Sequence, residues 1–219
     1  MASVTAESIL DMFRRVGALL EGHFRLTSGL HSPGYLQCAL VLQYPRDAET
    51  CGAAIADRVR GLGVQTVLSP ALGGIVIGQE VGRALGVRAI FAERQDGRLM
   101  LRRGFALQSG ERVLVVEDVV TTGGSTRETI DVARAAGAVV VGAAAIIDRR
   151  EIPKPNSQTP NSETQPPNSN ALGFGSWDLG FGEVPFHALA EVSLPTYDPE
   201  KCPLCGAGLP VVKPGSRAV

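Results

Sequence analysis

The chain predicts an α/β protein: a mainly parallel sheet flanked by helices. Three observations carry this expectation. Nearly continuous apolar segments rich in β-branched residues (VQTVLS, VRAIFA, RVLVVE, AVVVGAAAIID) recur along the chain, and segments with helical spacing (IVIGQEVGRALG, STRETIDVARAAG) stand among them. Strands apolar on both faces need cover on both faces, and parallel strands need long crossovers, which helices supply. At 219 residues, 44% hydrophobic and 20% charged, the chain also has the size and balance to bury a sizeable core.

The elements follow in order. From Thr5 the apolar residues Ile9, Met12, Phe13, Val16, Leu19 and Leu20 repeat at helical spacing up to Gly22, which predicts an amphipathic first helix. GHFRLTSGLHSPGYLQCALVLQYP is rich in turn formers and then in strand formers, so it reads as an extended or hairpin segment. Pro45 opens a second helix with Ala48, Cys51, Ile55, Val59 and Leu62 on one face. The alternating strands and helices come next. Residues 152–183 interrupt them: Pro-Asn-Ser recurs at Pro155, Pro160 and Pro167, and the segment then turns Gly-rich. Little before Leu172 could offset the entropy of ordering, so this stretch is expected to be a disordered, solvated insertion. Residues 1–151 and 184–219 are then expected to form one domain, with structure resuming around VPFHALAEVSLPTY.

Charge and composition exclude several classes of function. With 21 basic and 22 acidic residues the net charge is −1, so no global basic field draws nucleic acid. No apolar run is long enough to span a bilayer, and MASVTAESILDMFRRVG lacks the pattern of a secretory signal, which together imply a cytoplasmic address. Of the four cysteines, Cys38 and Cys51 lie in apolar surroundings, while Cys202 and Cys205 form an isolated CPLC. This is not a disulfide framework. Zinc would need two further ligands, and the nearest upstream histidine, His187, is not at a typical spacing, so CPLC reads first as a structural turn, with bound zinc as the alternative.

In parallel sheets ligands gather beyond the carboxyl ends of the strands, so the informative residues follow each strand. These are PALGGI after VQTVLS, ERQDGRLMLRRG after VRAIFA, EDVVTTGGST after RVLVV, and DRRE after AVVVGAAAII, with TSGLHSP added from the N-terminal segment. In TTGGST small residues allow a tight turn with free N–H groups, and Thr121, Thr122, Ser125 and Thr126 add hydroxyls. A helix starts at once, so its dipole and unpaired N–H groups face the same cup, an anion cradle suited to a phosphate monoester. Neither GxxxxGK[ST] nor GxGxxG is present. The acids Glu117 and Asp118, just upstream, would repel a phosphate unless they accept hydrogen bonds from sugar hydroxyls or face a divalent cation. A ribose 5-phosphate carrying Mg²⁺-bound diphosphate meets both conditions. The plainer alternative is that the two acids cap the following helix.

EDVVTTGGST closely resembles the phosphoribosyl diphosphate motif of the type I phosphoribosyltransferases. FRLTSGLHSP with Tyr35 beyond it, FAERQDG and AIIDRRE resemble the matching segments of the orotate phosphoribosyltransferases, and CPLCGAGLPVVKPGSR resembles the ending of one branch of that family. The resemblance runs from about residue 8 to 151 and again from about 184 onward. It implies a hood made by the N-terminal segment and the chain after Asp148. It also implies transfer of ribose 5-phosphate from phosphoribosyl diphosphate to orotate in pyrimidine (UMP) biosynthesis, with Mg²⁺ held mainly by the diphosphate.

Carried onto this chain, the resemblance gives Glu117 and Asp118 the ribose hydroxyls and the loop Val119, Val120, Thr121, Thr122, Gly123, Gly124 and Ser125 the 5-phosphate. Thr121 and Arg149 would contact orotate, a task that suits a planar guanidinium; the plainer reading of Arg149 is an ion pair with Asp148 or Glu151. Asp118 and Arg94 would be the catalytic pair. Three familiar lysine or histidine positions depart from the pattern: Gly73 in PALGGI, Thr27 before Ser28-Gly29, and ERQDGRLMLRRG where a Lys/His loop is usual. Arg94, Arg98, Arg102 and Arg103 are the cations left to meet departing diphosphate, Arg94 the best aligned. The resemblance further implies a homodimer with shared active sites. Two alternatives stand beside it: a phosphoribosyltransferase for another base, and a non-catalytic regulator that senses phosphoribosyl diphosphate, although no basic excess or helix-turn-helix segment supports the latter.

Overall fold

The computed structural model of the protein describes residues 4–26, 29–150 and 181–213. A six-stranded sheet forms its centre, in the order β5-β4-β3-β6-β7-β8. Its strands are β3 (Thr66–Pro70), β4 (Arg88–Gln95), β5 (Arg98–Leu101), β6 (Arg112–Val120), β7 (Val139–Asp148) and β8 (Phe186–Glu191). All neighbours run parallel except β4 and β5, which form an antiparallel hairpin. The expected class is therefore observed.

Burial on both faces explains the continuous apolar strands. On β6, Leu114 and Val116 pack with α1 (Ala6–Arg15), α3 (Pro45–Val59) and α4 (Gly74–Leu85) through Ile9, Phe13, Ile55 and Ile77. Val113 and Val115 face the other way, toward Ala133 and Ile130 of α5 (Gly124–Ala135). Successive strand residues point to opposite faces, so a central strand must be apolar at every position. Helices α3 and α4 lie close because position 52 is glycine: a Cβ there would sit 2.5 Å from the Cβ of Glu80. Among the described residues no helix is long and apolar enough to cross a membrane.

The N-terminal segment differs from expectation at one boundary. Helix α1 starts on a Thr5–Ser8 capping box and stops at Arg15, and Gly17 turns left-handed at φ 66°. Leu19 and Leu20, expected in the helix, instead begin β1 (Leu19–Arg25), which pairs antiparallel with β2 (His31–Leu36). Their spacing fits either period, and the glycine turn decides between them. A one-turn helix α2 (Ala39–Leu42) leads to Pro45, which opens α3 as expected.

Two other boundaries move. ERQDGRLMLRRG does not simply trail its strand: Glu93 to Gln95 extend β4, Asp96 and Gly97 turn with φ of 50° and 82°, and Arg98 starts β5. Positive φ at both turn positions matches the twist of a two-residue hairpin. Packing also resumes before residue 184, since Phe181 is buried against Phe186. The rest of the expected insertion up to residue 180 lies outside the described residues. Because β8 pairs with β7, the chain on either side of that stretch belongs to one sheet.

The reading of CPLC as a plain turn is corrected. Cys202 precedes a short helix α6 (Pro203–Gly206), and both cysteines lie against His23 of β1 and His31 of β2. His187 is elsewhere, on β8. The signal was missed because the partners stand about 180 residues upstream, beyond any local spacing rule.

Candidate active site

The loop after β6 is built around Gly123, which takes φ 74° and immediately precedes α5. A Cβ there would meet the Phe181 ring at 3.0 Å and the Arg127 guanidinium at 3.1 Å, so a side chain is excluded by space as well as by φ. Arg127 donates to the Thr122 carbonyl at 2.9 Å and fixes the outer limb of the turn. Thr121, Thr122 and Gly124 are exposed and Ser125 is half-buried, at the end where the first-turn N–H groups of α5 have no partner within the helix. Val119 and Val120 close the strand, paired with Ile147 and Asp148 of β7.

Glu117 and Asp118 do not cap that helix. Glu117 accepts a hydrogen bond from the Thr126 hydroxyl, Asp118 Oδ1 accepts from the Val119 N–H at 2.9 Å, and α5 has no side-chain cap. Among the described residues neither acid forms an ion pair. Burial pushes the Glu117 carboxyl up to about 7; the Thr126 hydrogen bond opposes this and the charge of Asp118 adds to it. Burial also raises Asp118, against the hydrogen bond from Val119. Two adjacent, desolvated acids without a cation form a set of acceptors for hydroxyl donors.

Gly73 stands directly against this pair. A Cβ at position 73 would lie 2.8 Å from Asp118 Oδ1, so any side chain there must displace the carboxylate. The absence of a lysine in PALGGI thus has a local physical counterpart: the glycine leaves room for Asp118 at the head of α4.

Arg149 follows β7, and its N–H donates to the Val120 carbonyl at 2.8 Å. The expected alternative, an ion pair with Asp148, belongs to Arg150 instead. Arg150 binds the Asp148 carboxylate at 2.7 Å, with both side chains buried and its guanidinium 4.2 Å from the Phe186 ring centroid. Glu151, the other suggested partner, lies outside the described residues. Arg149 Nε is buried without a hydrogen-bond partner among the described residues. Burial lowers the Arg149 pKa, while the nearby Tyr35 and Cys38 raise it. Tyr35 is raised by burial, lowered by Arg149 and raised by Asp118. Tyr35 of β2 thus lies within electrostatic reach of both Arg149 and Asp118, a position that the sequence marks only by a flanking match.

The hairpin arginines divide. Arg94 pairs with Glu128 of α5 at 2.8 Å, and Glu128 also accepts from the Leu99 N–H at 2.6 Å. Arg103 pairs with Glu93 at 2.8 Å. Arg98 and Arg102 are exposed and have no ion pair among the described residues. Arg94 is thus tethered to the helix that opens on the phosphate loop.

Residues 41–175 match the model of the phosphoribosyl transferase domain. The orotate phosphoribosyltransferase of Desulforamulus reducens is 49% identical over 213 residues, covering 97% of this chain and 98% of that protein. That of Heliobacterium modesticaldum is 49% identical over 216 residues, covering 98% and 100%. The crystal structure of orotate phosphoribosyltransferase from Aeropyrum pernix matches with a TM-score of 0.60 at 23% identity, over 84% of this chain and 93% of that one, a likeness of fold. The domain match and relatives this similar over nearly their full length lead to one conclusion: the chain belongs to the orotate phosphoribosyltransferase family.

Proposed function

We infer that the protein transfers ribose 5-phosphate from phosphoribosyl diphosphate to orotate, giving orotidine 5′-phosphate and diphosphate. The bond from ribose C1 to the diphosphate oxygen breaks, and a bond from C1 to an orotate ring nitrogen forms. The observation that carries this reading is Arg149, a half-buried residue whose Nε is buried and has no hydrogen-bond partner among the described residues, within electrostatic reach of Tyr35. A planar, permanently charged fork suits the carboxylate or carbonyl edge of orotate, with Thr121 as a second contact.

In this reading Glu117 and Asp118 accept the ribose hydroxyls, and the loop Val119 to Ser125 receives the 5-phosphate through N–H and hydroxyl donors. The transition state carries positive charge on the ribose, so catalysis rests on orientation and on charge placed for departing diphosphate. Mg²⁺ would be held mainly by the diphosphate of the substrate, where it would neutralise charge on the leaving group, while Glu117 and Asp118 accept from the ribose hydroxyls. Arg94 is the proposed cation for the leaving group, exchanging Glu128 for diphosphate. Arg94→Ala should then lower kcat more than Arg98→Ala, measured at saturating substrates. The resemblance also supports a homodimer in which the β4–β5 hairpin of one copy serves the other; sedimentation of the purified protein tests the assembly.

A base panel tests the reaction. Purified protein with Mg²⁺ and phosphoribosyl diphosphate should consume orotate, followed by its absorbance, and leave uracil, hypoxanthine and xanthine unchanged. Turnover of another base alone would reassign the substrate, and turnover of none would favour a sensing role.

A further inference from the structure

We propose that His23, His31, Cys202 and Cys205 form a structural zinc site that fastens the C-terminal segment to the N-terminal hairpin. Their ligand atoms all lie within 4.8 Å of one another. His23 Nε2 is 2.9 Å from His31 Nδ1, 3.5 Å from Cys202 Sγ and 3.7 Å from Cys205 Sγ, and Cys205 Sγ is 3.3 Å from His31 Nδ1. Tetrahedral zinc with bonds of about 2.0 Å to nitrogen and 2.3 Å to sulfur sets its donors roughly 3.3–3.8 Å apart. The four separations given above, 2.9–3.7 Å, lie near those values, within a set that spans no more than 4.8 Å.

Ordinary hydrogen bonding does not account for this convergence. His23 Nδ1 lies 2.8 Å from the Leu209 carbonyl, which can only accept, so Nδ1 carries the proton and Nε2 presents a single lone pair. Three neighbours crowd that lone pair: His31 Nδ1 and two thiols. One acceptor cannot serve three donors well, whereas one cation serves four lone pairs. The Leu209 contact is also the outer support that zinc-binding histidines generally have, fixing tautomer and ring orientation. Two thiolates and two neutral imidazoles balance the 2+ charge, and soft sulfur with imidazole in a tetrahedron selects zinc.

The surroundings suit a closed, structural role. His23, His31 and Cys202 are buried. The same two segments are already stitched by backbone hydrogen bonds, Arg25 N–H to the Val212 carbonyl and Val212 N–H to the His23 carbonyl, and His31 and Tyr197 exchange a pair at 2.8 Å. With all four ligand positions taken by protein, no place remains for substrate or activated water. The metal closes a loop from β1 to the C-terminal turn and so holds the hairpin that carries Tyr35.

The test uses tag-free, full-length protein purified without chelator. Elemental analysis should find about one zinc per chain, and Cys202→Ser and Cys205→Ser should lose it. Cobalt added to metal-stripped protein should give the intense visible bands of a tetrahedral thiolate site. Cys205→His should still bind cobalt, with weaker sulfur charge-transfer absorption. Chelation should lower the Tm of the wild type by more than about 5 °C and leave Cys205→Ser unchanged. If the serine variants do not fold, cobalt binding by the stripped wild type decides the matter. Wild-type protein without zinc, without the tetrahedral cobalt spectrum and with a chelator-independent Tm would overturn the proposal, as would a Cys202–Cys205 disulfide.

Discussion

The phosphate-loop end of β6 and the hood place their polar groups under opposite rules. At β6, eleven consecutive residues from Val116 to Thr126 build a strand end, two acids, a turn and a helix start. The acids there are half-buried without a countercharge among the described residues, and Gly73 leaves room for the Asp118 carboxylate. In the hood, residues from opposite ends of the chain meet, and backbone hydrogen bonds join them around the histidine–cysteine cluster: Arg25 with Val212, His31 with Tyr197, and His23 Nδ1 with the Leu209 carbonyl. One region leaves its acids without a countercharge, and the other brings groups from distant segments together to hold its shape. Unpaired buried groups cost stability, so the difference marks where substrate is expected to supply what the fold omits.

The contrast breaks most visibly at Asp118. Asp118→Asn should reduce kcat/KM by about 100-fold, the scale of a lost charge-assisted hydrogen bond, with no loss of Tm. Steady-state kinetics and a thermal melt of the same preparation check both halves. Next is Arg149→Lys, expected to raise the KM for orotate about 30-fold while leaving that for phosphoribosyl diphosphate nearly unchanged, because an ammonium cannot reproduce the planar fork. Gly73→Ala should cost about 10-fold in kcat/KM by forcing the Asp118 carboxylate aside, with Tm within a few degrees of wild type.

The smallest effect is on stability, and its sign follows from Glu117. Its carboxyl is raised from 4.5 to about 7, so the folded protein keeps a proton that the unfolded chain loses. This contribution to stability is present below pH 4.5, declines as pH rises to about 7 and is flat above. Glu117→Gln should remove the decline and raise Tm at pH 8 by several degrees, on the order of 2 kcal/mol, while lowering turnover. Wild-type kcat/KM should correspondingly fall as pH drops through about 7, where Glu117 takes up its proton and becomes a weaker, uncharged acceptor for hydroxyl donors. Melts and pH–rate profiles of the two proteins would show whether unpaired acids are as costly as the geometry implies.

What the sequence made legible follows the same division. The alternation of strands and helices along the chain, the helix start at Pro45 and the turn at Gly123 ahead of a helix all depend on residues within a few positions of one another, and they stand in the structure as expected. Leu19 and Leu20 were placed in the wrong element because their spacing fits a helix or a strand, and the left-handed Gly17 settles the choice. The alternative pairing of Arg149 with Asp148 failed because adjacent residues of an extended chain point to opposite faces, which gives Asp148 to Arg150. The histidine partners of CPLC and the contact between Gly73 and Asp118 join segments far apart in the chain. Such pairings are made by the sheet order and hood closure, and no local pattern encodes them.

The division of labour at the sheet edge is tested most directly by one paired measurement: initial rates over a grid of orotate and phosphoribosyl diphosphate concentrations for wild type, Asp118→Asn and Arg149→Ala. The account predicts that Asp118→Asn loses turnover at every orotate concentration, whereas Arg149→Ala raises the KM for orotate and leaves that for phosphoribosyl diphosphate nearly unchanged. If instead Arg149→Ala leaves the orotate KM at the wild-type value, or Asp118→Asn retains full turnover, the assignment of base and ribose to these two residues is contradicted.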